Sequence, residues 1–273
     1  MDALITPEAG AGADGHLGFH CQDVAHRFVA ANGAVVALEG VTFRARPREF
    51  VCLVGPSGCG KSTLLRIVAG LLQPSAGRVL FEGGFSNGRP RTDLVFQEHG
   101  AFPWLTVLDN VAFGLEMRGV PRVDRRRQAM AFVETVGLGP FAHHYPHQLS
   151  VGMRQRVVIA RAFVSGSPIL LMDEPFGALD AQTRRVLQEE LLRIWQQHRK
   201  LVLYVTHDIE EAVLLGDRIL VLTGRPGRIR EDIPVGLNRP RDPQRDQSRV
   251  SELTWHIWRL LEEEVRHGLA IRT

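Results

Sequence analysis

A short glycine-rich segment constrains the fold of this chain more than any other part of its sequence. An apolar run at positions 50–54 leads into the segment, and apolar residues at helical spacing follow it. Its residues fit the pattern G-x-x-x-x-G-K-[ST] and read Gly55-Pro56-Ser57-Gly58-Cys59-Gly60-Lys61-Ser62-Thr63. A strand, this loop and a helix in that order predict a site for nucleotide phosphates, because the glycines let backbone N–H groups surround a phosphate. Lys61 would reach the β and γ phosphates of ATP, and the Ser62 hydroxyl would bind Mg²⁺.

Two further apolar runs end in residues that carry chemistry. Residues 169–172 lead into Asp173 and Glu174, and residues 201–206 lead into His207. Apolar runs of this length are typical of strands buried on both faces of a parallel sheet, whose ligands bind at the carboxyl ends of the strands. The sequence therefore predicts an α/β fold in which three strand ends converge on one site. Asp173 would hold Mg²⁺, and Glu174 would act as general base on the attacking water.

Helical patterns between these strands indicate the domain organisation. The segment of about 98–163 has helical periodicity and predicts a helical subdomain inserted into the sheet domain. Ser150 is placed to cap a helix inside it, and apolar spacing near the C-terminus predicts a final amphipathic helix. We expect a disordered lead at 1–18, a nucleotide-binding domain at 19–225, and a tail at 226–273 that carries the last helix.

Composition and charge exclude several classes of protein. No apolar run approaches the ~20 residues of a membrane-spanning helix, so any membrane role would be peripheral. The net charge is +3, and the arginine-rich stretch 225–250 has no aromatic residue for base stacking, so we read it as a solvated surface and expect no nucleic-acid binding. Three cysteines without metal-ligand spacing, and an N-terminus without the order of a secretory signal, indicate a protein of the cytoplasm.

A segment before the second apolar run separates this chain from other proteins with a phosphate-binding loop. It reads Gln148-Leu149-Ser150-Val151-Gly152-Met153-Arg154-Gln155-Arg156 and resembles the LSGGQ signature of ABC ATPases, in the LSGGMRQR form common among importer subunits. Ser150 and the N–H groups of a second helix start would form another anion site. The resemblance implies that Ser150 and Gly152 face the γ-phosphate held by the other subunit's loop. Val151 stands where the family usually has glycine, and we expect an effect on rate rather than a loss of function.

The remaining motifs of that family follow in the same order. Gln97 resembles the Q-loop glutamine, which touches Mg²⁺ and the attacking water, and His207 resembles the switch histidine that contacts the γ-phosphate. Phe28 resembles the aromatic residue that stacks on adenine, with a place in the core as the open alternative. The segment Gly177-Ala178-Leu179-Asp180 resembles the D-loop at the dimer seam. The resemblance covers about residues 19–225 and implies the ABC ATPase fold, a P-loop NTPase core sheet with an inserted helical subdomain that binds ATP and Mg²⁺.

Other segments resemble the nitrate/sulfonate/taurine group of bacterial importers within this family. They are Phe102-Pro103-Trp104-Leu105-Thr106-Val107, Phe176-Gly177-Ala178-Leu179-Asp180, Arg225-Pro226-Gly227-Arg228-Ile229 and Arg239-Pro240-Arg241. The resemblance implies an ATP-hydrolysing homodimer at the cytoplasmic face of the inner membrane. Its partners would be integral membrane permease subunits and, indirectly, a periplasmic or extracellular solute-binding protein. Trp104 and its apolar neighbours would lie where a permease coupling helix docks, with a place in the core as the alternative. The sequence leaves the solute open among nitrate, sulfonates, taurine and pyrimidine or other small organic precursors.

Two other functions compete with this interpretation. A soluble P-loop kinase or another non-transport NTPase would explain residues 55–63 but not Ser150, Gly152 and His207 together. An ABC ATPase of DNA repair, chromosome maintenance or translation would resemble this chain at the motifs, but those relatives usually carry long coiled-coil insertions or two cassettes. This sequence has neither a heptad run between its phosphate-binding loop and its signature segment nor a second such loop. Copurification with a hydrophobic membrane subunit, rather than with DNA or ribosomes, would separate these possibilities.

Overall fold

The computed structural model of this protein describes residues 17–30, 33–83, 91–96, 100–241 and 245–270. Two units make up the chain, the first comprising Met1–Phe85 with Leu201–Thr273 and the second comprising Ser86–Lys200. The elements in chain order are β1 (Gly18–Ala30), β2 (Gly33–Ala45), β3 (Phe50–Val54), α1 (Lys61–Val68), β4 (Ala76–Glu82), β5 (Thr92–Val95), α2 (Val107–Met117), α3 (Arg122–Thr135), α4 (Val151–Val164), β6 (Ile169–Asp173), α5 (Ala181–His198), β7 (Leu201–Val205), α6 (Ile209–Leu215), β8 (Arg218–Leu222), β9 (Ile229–Pro234) and α7 (Gln247–Ala270). Short 3₁₀ turns at Gly139–Phe141 and Pro146–Gln148 precede α4.

An antiparallel sheet of three strands, in the order β2-β1-β4, belongs to the first unit. Phe19 at its centre packs edge-on against Phe43, with 5.7 Å between the ring centroids. Strand β1 has a bulge near Asp23, whose φ is +48°, and β4 approaches it so closely that a Cβ on Gly77 would lie 2.2 Å from the Asp23 carbonyl oxygen. Glycine at position 77 therefore lets the sheet follow the bulge.

The strands around the phosphate-binding loop, also in the first unit, have the order β7-β3-β8-β9. Strand β3 is parallel to β7 and β8, and β9 is antiparallel to β8. Every residue of β3 and β7 is buried, which confirms the sequence prediction of doubly buried strands at these two apolar runs. The backbone N–H of Thr206 donates to the Leu53 carbonyl at 3.2 Å. The segments that follow β3 and β7 therefore leave the sheet at the same edge.

The described residues of the second unit form one parallel strand pair and four long helices. Strands β5 and β6 are parallel, and α2 packs against both α3 and α4. Side chains cap three of the helices at their N-termini, since the oxygens of Thr106, Ser150 and Asp180 accept from backbone N–H groups of the first turn. The predicted strand at 169–172 and the predicted cap at Ser150 are both confirmed.

The C-terminal tail belongs to the first unit, and its arginines are not all solvated. Helix α7 buries Val250, Leu253 and Ile257 and packs against α6. The expectation of a solvated arginine-rich surface is wrong for Arg239 and Arg241, whose side chains are only 10% and 2% exposed. The Arg241 guanidinium is buried because its Nη1 donates to three carbonyl oxygens at the end of α6, those of Val213 (2.8 Å), Leu214 (3.0 Å) and Gly216 (2.6 Å). Within the described ranges, no helix combines the length and apolarity that crossing a bilayer requires.

Candidate functional site

The phosphate-binding loop connects β3 to α1 and holds its lysine in a buried position. The Lys61 side chain is 7% exposed, and its Nζ donates to the carbonyl oxygens of Gly55 at 2.8 Å and Pro56 at 3.0 Å. The loop turns back on itself, since the Cys59 N–H donates to the Pro56 carbonyl at 3.3 Å. Burial raises the pKa of the Cys59 thiol, with Lys61 acting against that rise, so the thiol in this loop is neutral at physiological pH. The ammonium group is thus placed inside the turn of the loop by carbonyls that a phosphate group would replace.

Gly60 explains why the loop requires glycine just before the helix. Its φ is +104°, and a Cβ there would lie 2.6 Å from Leu38 Cδ2 and 2.8 Å from the Ala37 carbonyl oxygen. Gly60 is also the N-cap of α1 and offers no side-chain acceptor to the first turn. Three features of this loop suit the negatively charged phosphates of a nucleotide. They are the loop N–H groups, the start of a helix without a side-chain cap, and a buried ammonium.

His207 lies directly after β7, at the sheet edge from which the phosphate-binding loop also leaves. It is exposed, but the residues on both sides of it are fixed by hydrogen bonds. The Asp208 N–H donates to Thr206 Oγ1 at 3.0 Å, and Asp208 Oδ1 accepts from the Glu211 N–H at 3.1 Å as the N-cap of α6. The structure therefore brings His207 and the loop to one edge of one sheet within the first unit.

A buried carboxylate that was not predicted from the sequence, that of Glu211, binds the residues just before His207. Glu211 is 5% exposed and accepts hydrogen bonds from the Thr206 hydroxyl and, at 2.6 Å, from the Tyr204 hydroxyl. Burial, followed by the charge of Glu211, raises the pKa of Tyr204 well above its usual range, so Tyr204 remains a hydrogen-bond donor. The sequence does contain a signal for Glu211, because Asp208 and a glutamate three residues later form the pattern of a helix capping box.

Phe28 lies near the end of β1 in the first unit. Its side chain is 43% exposed, and its ring contacts His26 edge-on at 4.5 Å between centroids. The alternative of a core aromatic residue is therefore wrong, because a core ring would be enclosed. An exposed ring of this kind offers a surface on which a base can stack.

The carboxylates of the second unit lie at the end of β6. Asp173 is the last residue of the strand, and Glu174 follows it with a φ of +45°. This left-handed conformation is unusual for a residue that is not glycine, and such conformations concentrate at functional sites. The Glu174 carbonyl accepts from the Gly177 N–H at 3.1 Å, which closes a tight turn after the strand. The backbone thus changes direction at the residue that the sequence analysis assigned as general base.

Ser150 and Gly152 lie at the start of α4. The Ser150 Oγ accepts from the Met153 N–H at 3.2 Å, and Val151 between them is 50% exposed. A Cβ on Gly152 would lie 3.0 Å from Thr183 Cγ2 of α5, so glycine at this position allows the two helices to approach closely. Gln97, the third residue assigned to Mg²⁺, lies outside the described residues.

A cavity of about 820 Å³ lies beside β5 in the second unit, and its wall includes Phe102, Phe113 and Arg161. Trp104 is 70% exposed and stacks on Phe102 at 5.5 Å between ring centroids, and the Arg161 guanidinium lies 4.5 Å from the Phe102 centroid on the cavity wall. The alternative that places Trp104 in the core of the helical subdomain is therefore wrong. Its ring is held by the stack on Phe102 and otherwise faces solvent.

Comparisons with known proteins identify the family. A model of the ABC transporter family matches residues 38–177, just over half of the chain. An uncharacterized ABC transporter ATP-binding protein of Methanocaldococcus jannaschii is 50% identical over 86% of this chain and 88% of its own. A nitrate import ATP-binding protein of Synechocystis sp. is 44% identical over 85% of this chain and 86% of its own. An aliphatic sulfonates import ATP-binding protein of Bacillus thuringiensis subsp. konkukian is 40% identical over 92% and 97%, respectively.

Solved structures agree with the sequence relatives. The dimeric structure of a bacterial ABC transporter cassette superposes with a TM-score of 0.66 at 31% identity and covers 81% of this chain and all of its own. A dimeric post-hydrolysis state of an ATP-binding cassette bound to ADP and phosphate gives 0.65 at 30% identity over the same shares. The predicted P-loop core with the ABC ATPase fold is confirmed, and the alternative of a soluble P-loop kinase is wrong. The chain belongs to the ABC transporter family and is one of its ATP-binding, ATP-hydrolysing subunits.

Proposed function

We propose that this ATPase subunit drives the import of a small anionic or organic solute, of the nitrate, sulfonate or taurine type, through a separate membrane permease. The observation that carries the ATPase part is the buried Lys61, which two loop carbonyls hold inside a phosphate-binding loop. The import part is supported by the named nitrate and aliphatic sulfonates relatives, of which this chain covers 86% and 97%. Chain coverage this high supports transfer of the role of a whole subunit rather than that of one domain.

In the proposed reaction, the first unit binds ATP through its phosphates. The N–H groups of residues 55–63 and the Lys61 ammonium receive the β and γ phosphates, and the exposed ring of Phe28 stacks on adenine. His207, whose backbone is fixed by Thr206 and Asp208, contacts the γ-phosphate. ATP binding in this proposal thus depends on groups of the first unit whose backbone is fixed by hydrogen bonds.

Residues at the end of β6 carry out the hydrolysis in this proposal. Glu174 takes a proton from the attacking water as general base, a role for which its turn after the strand fixes the backbone. Ser62, Asp173 and Gln97 are assigned to Mg²⁺, and hydroxyl, carboxylate and amide oxygens are the donors that this hard cation prefers. Mg²⁺ would screen the charge of the phosphates.

We further propose that two copies form a homodimer in which Ser150 and Gly152 of one subunit face the ATP of the other. Both solved relatives are described as dimeric. A two-fold interface uses the same surface on both copies, so a site that needs a loop from one subunit and a helix start from the other occurs twice. ATP then becomes part of the contact between the subunits.

The permease docks, in this proposal, on the exposed ring of Trp104 and on the half-buried Phe102 on which it stacks, beside the cavity of the second unit. Exposed apolar surface on a folded protein often marks an interface, and aromatic residues are enriched there. Docking would place the subunit at the cytoplasmic face of the inner membrane, and a periplasmic or extracellular solute-binding protein would deliver the solute to the permease.

Reconstitution tests this function directly. The subunit is assembled with its membrane permease in liposomes, and ATPase activity is measured while nitrate, alkyl sulfonates, taurine and pyrimidine precursors are supplied with the solute-binding protein. We expect one solute class to stimulate hydrolysis several-fold, and Glu174→Gln to abolish the stimulated rate. Copurification with DNA or ribosomes instead of a hydrophobic subunit would overturn the transport role.

A further inference from the structure

A turn between β8 and β9 lies directly against the phosphate-binding loop. We call residues 224–227 the brace turn. The Gly227 N–H donates to the Ala37 carbonyl at 2.9 Å, and its carbonyl accepts from the Glu39 N–H at 3.0 Å. A Cβ on Gly227 would lie 2.1 Å from the Cys59 carbonyl oxygen. The backbone of the brace turn and that of the loop are therefore so close that even a methyl group does not fit between them.

Arg225 contacts the outer part of the phosphate-binding loop. Its Nε donates to the Gly58 carbonyl at 3.3 Å, and its Nη2 lies 3.1 Å from the place that a Cβ on Gly58 would occupy. Gly58 has a φ of +76°, one of the two left-handed residues that give the loop its shape. A charged donor on this carbonyl stabilises the peptide orientation that presents the following N–H groups to a phosphate.

The brace turn is anchored at its other end to the C-terminal helix. The Gly224 N–H donates to Glu264 Oε2 of α7 at 2.8 Å, and Glu264 Oε1 accepts from Arg230 Nη1 at 2.6 Å. Thr223, just before the brace turn, donates from its hydroxyl to the Pro226 carbonyl at 3.0 Å. The brace turn therefore links α7 to the loop that binds ATP, through the Glu264–Gly224 hydrogen bond, the peptide chain to Arg225 and the hydrogen bond from Arg225 to Gly58.

We infer that the brace turn holds the phosphate-binding loop in its nucleotide-binding shape, with Arg225 as a positioning residue for ATP and Glu264 as its anchor on α7. The inference rests on ATP binding by the loop, which family membership gives, and not on the solute or the permease. It makes the affinity for nucleotide depend on a helix far along the chain from the loop. A factor that displaces α7 would then weaken ATP binding without touching the loop itself.

Nucleotide affinities of an Arg225→Ala variant test the positioning role. Arg228 supplies the matched control, because it is also exposed and directly follows the brace turn but pairs with Glu39 at 2.7 Å. Calorimetry with ATP and with ADP should show a loss of about three- to tenfold for Arg225→Ala, the range expected for one exposed hydrogen bond of ordinary net strength. The loss should be equal for both nucleotides, because both carry the β-phosphate that the loop surrounds. Arg225→Lys should recover part of it, and Arg228→Ala should bind as the wild type does.

Steady-state kinetics separate positioning from chemistry. KM for ATP should rise with the loss of affinity in Arg225→Ala, while kcat stays within about twofold, because the loop shape affects binding before it affects the reaction. A loss confined to ATP would overturn the inference in favour of direct contact with the γ-phosphate. Affinity within twofold of the wild type, or an equal loss in Arg228→Ala, would also overturn it.

A Glu264→Ala variant tests the anchor. We expect about a two- to threefold loss of affinity for both nucleotides, and no further loss when Glu264→Ala is added to Arg225→Ala, because both act through the same turn. Thermal melting is measured in parallel. A lower melting temperature with unchanged affinity would show that Glu264 only stabilises the fold, and would refute its role as anchor.

Discussion

Replacing Lys61 should separate the two tasks that the structure gives to this side chain. Its ammonium is held by the carbonyls of Gly55 and Pro56, at 2.8 Å and 3.0 Å. On binding, those hydrogen bonds are exchanged for contact with phosphate charge. A unit charge about 4 Å away contributes about 4 kcal/mol at an effective dielectric constant near 20, and surrendering the two hydrogen bonds costs about 2 kcal/mol, at about 1 kcal/mol net for each. About 2 kcal/mol should remain, so Lys61→Ala should weaken ATP binding about 30-fold.

Two variants and two measurements separate the effect of Lys61 on ATP binding from its effect on the stability of the fold. Calorimetric titration with ATP gives the affinity, and urea denaturation of the ligand-free protein gives the free energy of unfolding. Lys61→Met keeps most of the side-chain volume and removes the charge, so it should lose as much affinity as Lys61→Ala but destabilise the ligand-free fold less. If ATP affinity in either variant stays within a few fold of the wild type, the assignment of Lys61 to the phosphates is refuted.

The remaining predictions concern three other side chains. Glu174→Gln should bind ATP normally but hydrolyse it about 10² to 10⁴ times more slowly, because a general base is lost. ATP-bound dimers of this variant should accumulate and be detectable by light scattering. Near-normal turnover in the assembled transporter would contradict the role of Glu174 as general base. Trp104→Ala should melt within a few degrees of the wild type, because the ring is 70% exposed, yet fail to assemble with the permease in pull-down experiments; normal assembly would exclude docking there. Burial lowers the pKa of Lys200 from 10.5 to about 8. Between these two pH values Lys200 is protonated in the unfolded chain but neutral in the folded protein. The free energy of unfolding should therefore rise with pH across this window, by up to about 3 kcal/mol relative to Lys200→Met. Equal pH dependence of urea unfolding in both proteins would disprove the shift.

The sequence predicts the parts of the site that depend on short segments. The apolar runs before Gly55, Asp173 and His207 could be assigned to strands because a doubly buried strand is recognisable from its own residues. Ser150 could be assigned as a cap for the same reason, since its acceptor role involves a residue only three positions away. The local sequence pattern was therefore sufficient to predict a residue's role wherever its partner is close in the sequence.

Contacts between distant segments lay outside what the sequence could predict. Arg241 is buried because it meets carbonyls more than twenty positions away at the end of α6, and an arginine-rich stretch gives no sign of that partner. Gly227 lies against the Cys59 carbonyl, a contact between residues that are far apart in the sequence, and no local pattern around either residue indicates it. The exposure of Phe28 and Trp104 was open because an apolar pattern does not say which side of an element is covered.

The left-handed backbone at Glu174 means that the residue which best stabilises the fold at this position is not the residue proposed for catalysis. A residue with a β-carbon held at a φ of +45° costs about 1 kcal/mol relative to glycine. Directed evolution toward higher melting temperature alone would therefore enrich glycine or asparagine at this position, and the enriched proteins would lack the proposed base. Engineers who seek a more robust version of this ATPase should hold position 174 fixed and look for stability elsewhere, since the conformation that makes glutamate expensive there is the one that turns the chain at the end of β6.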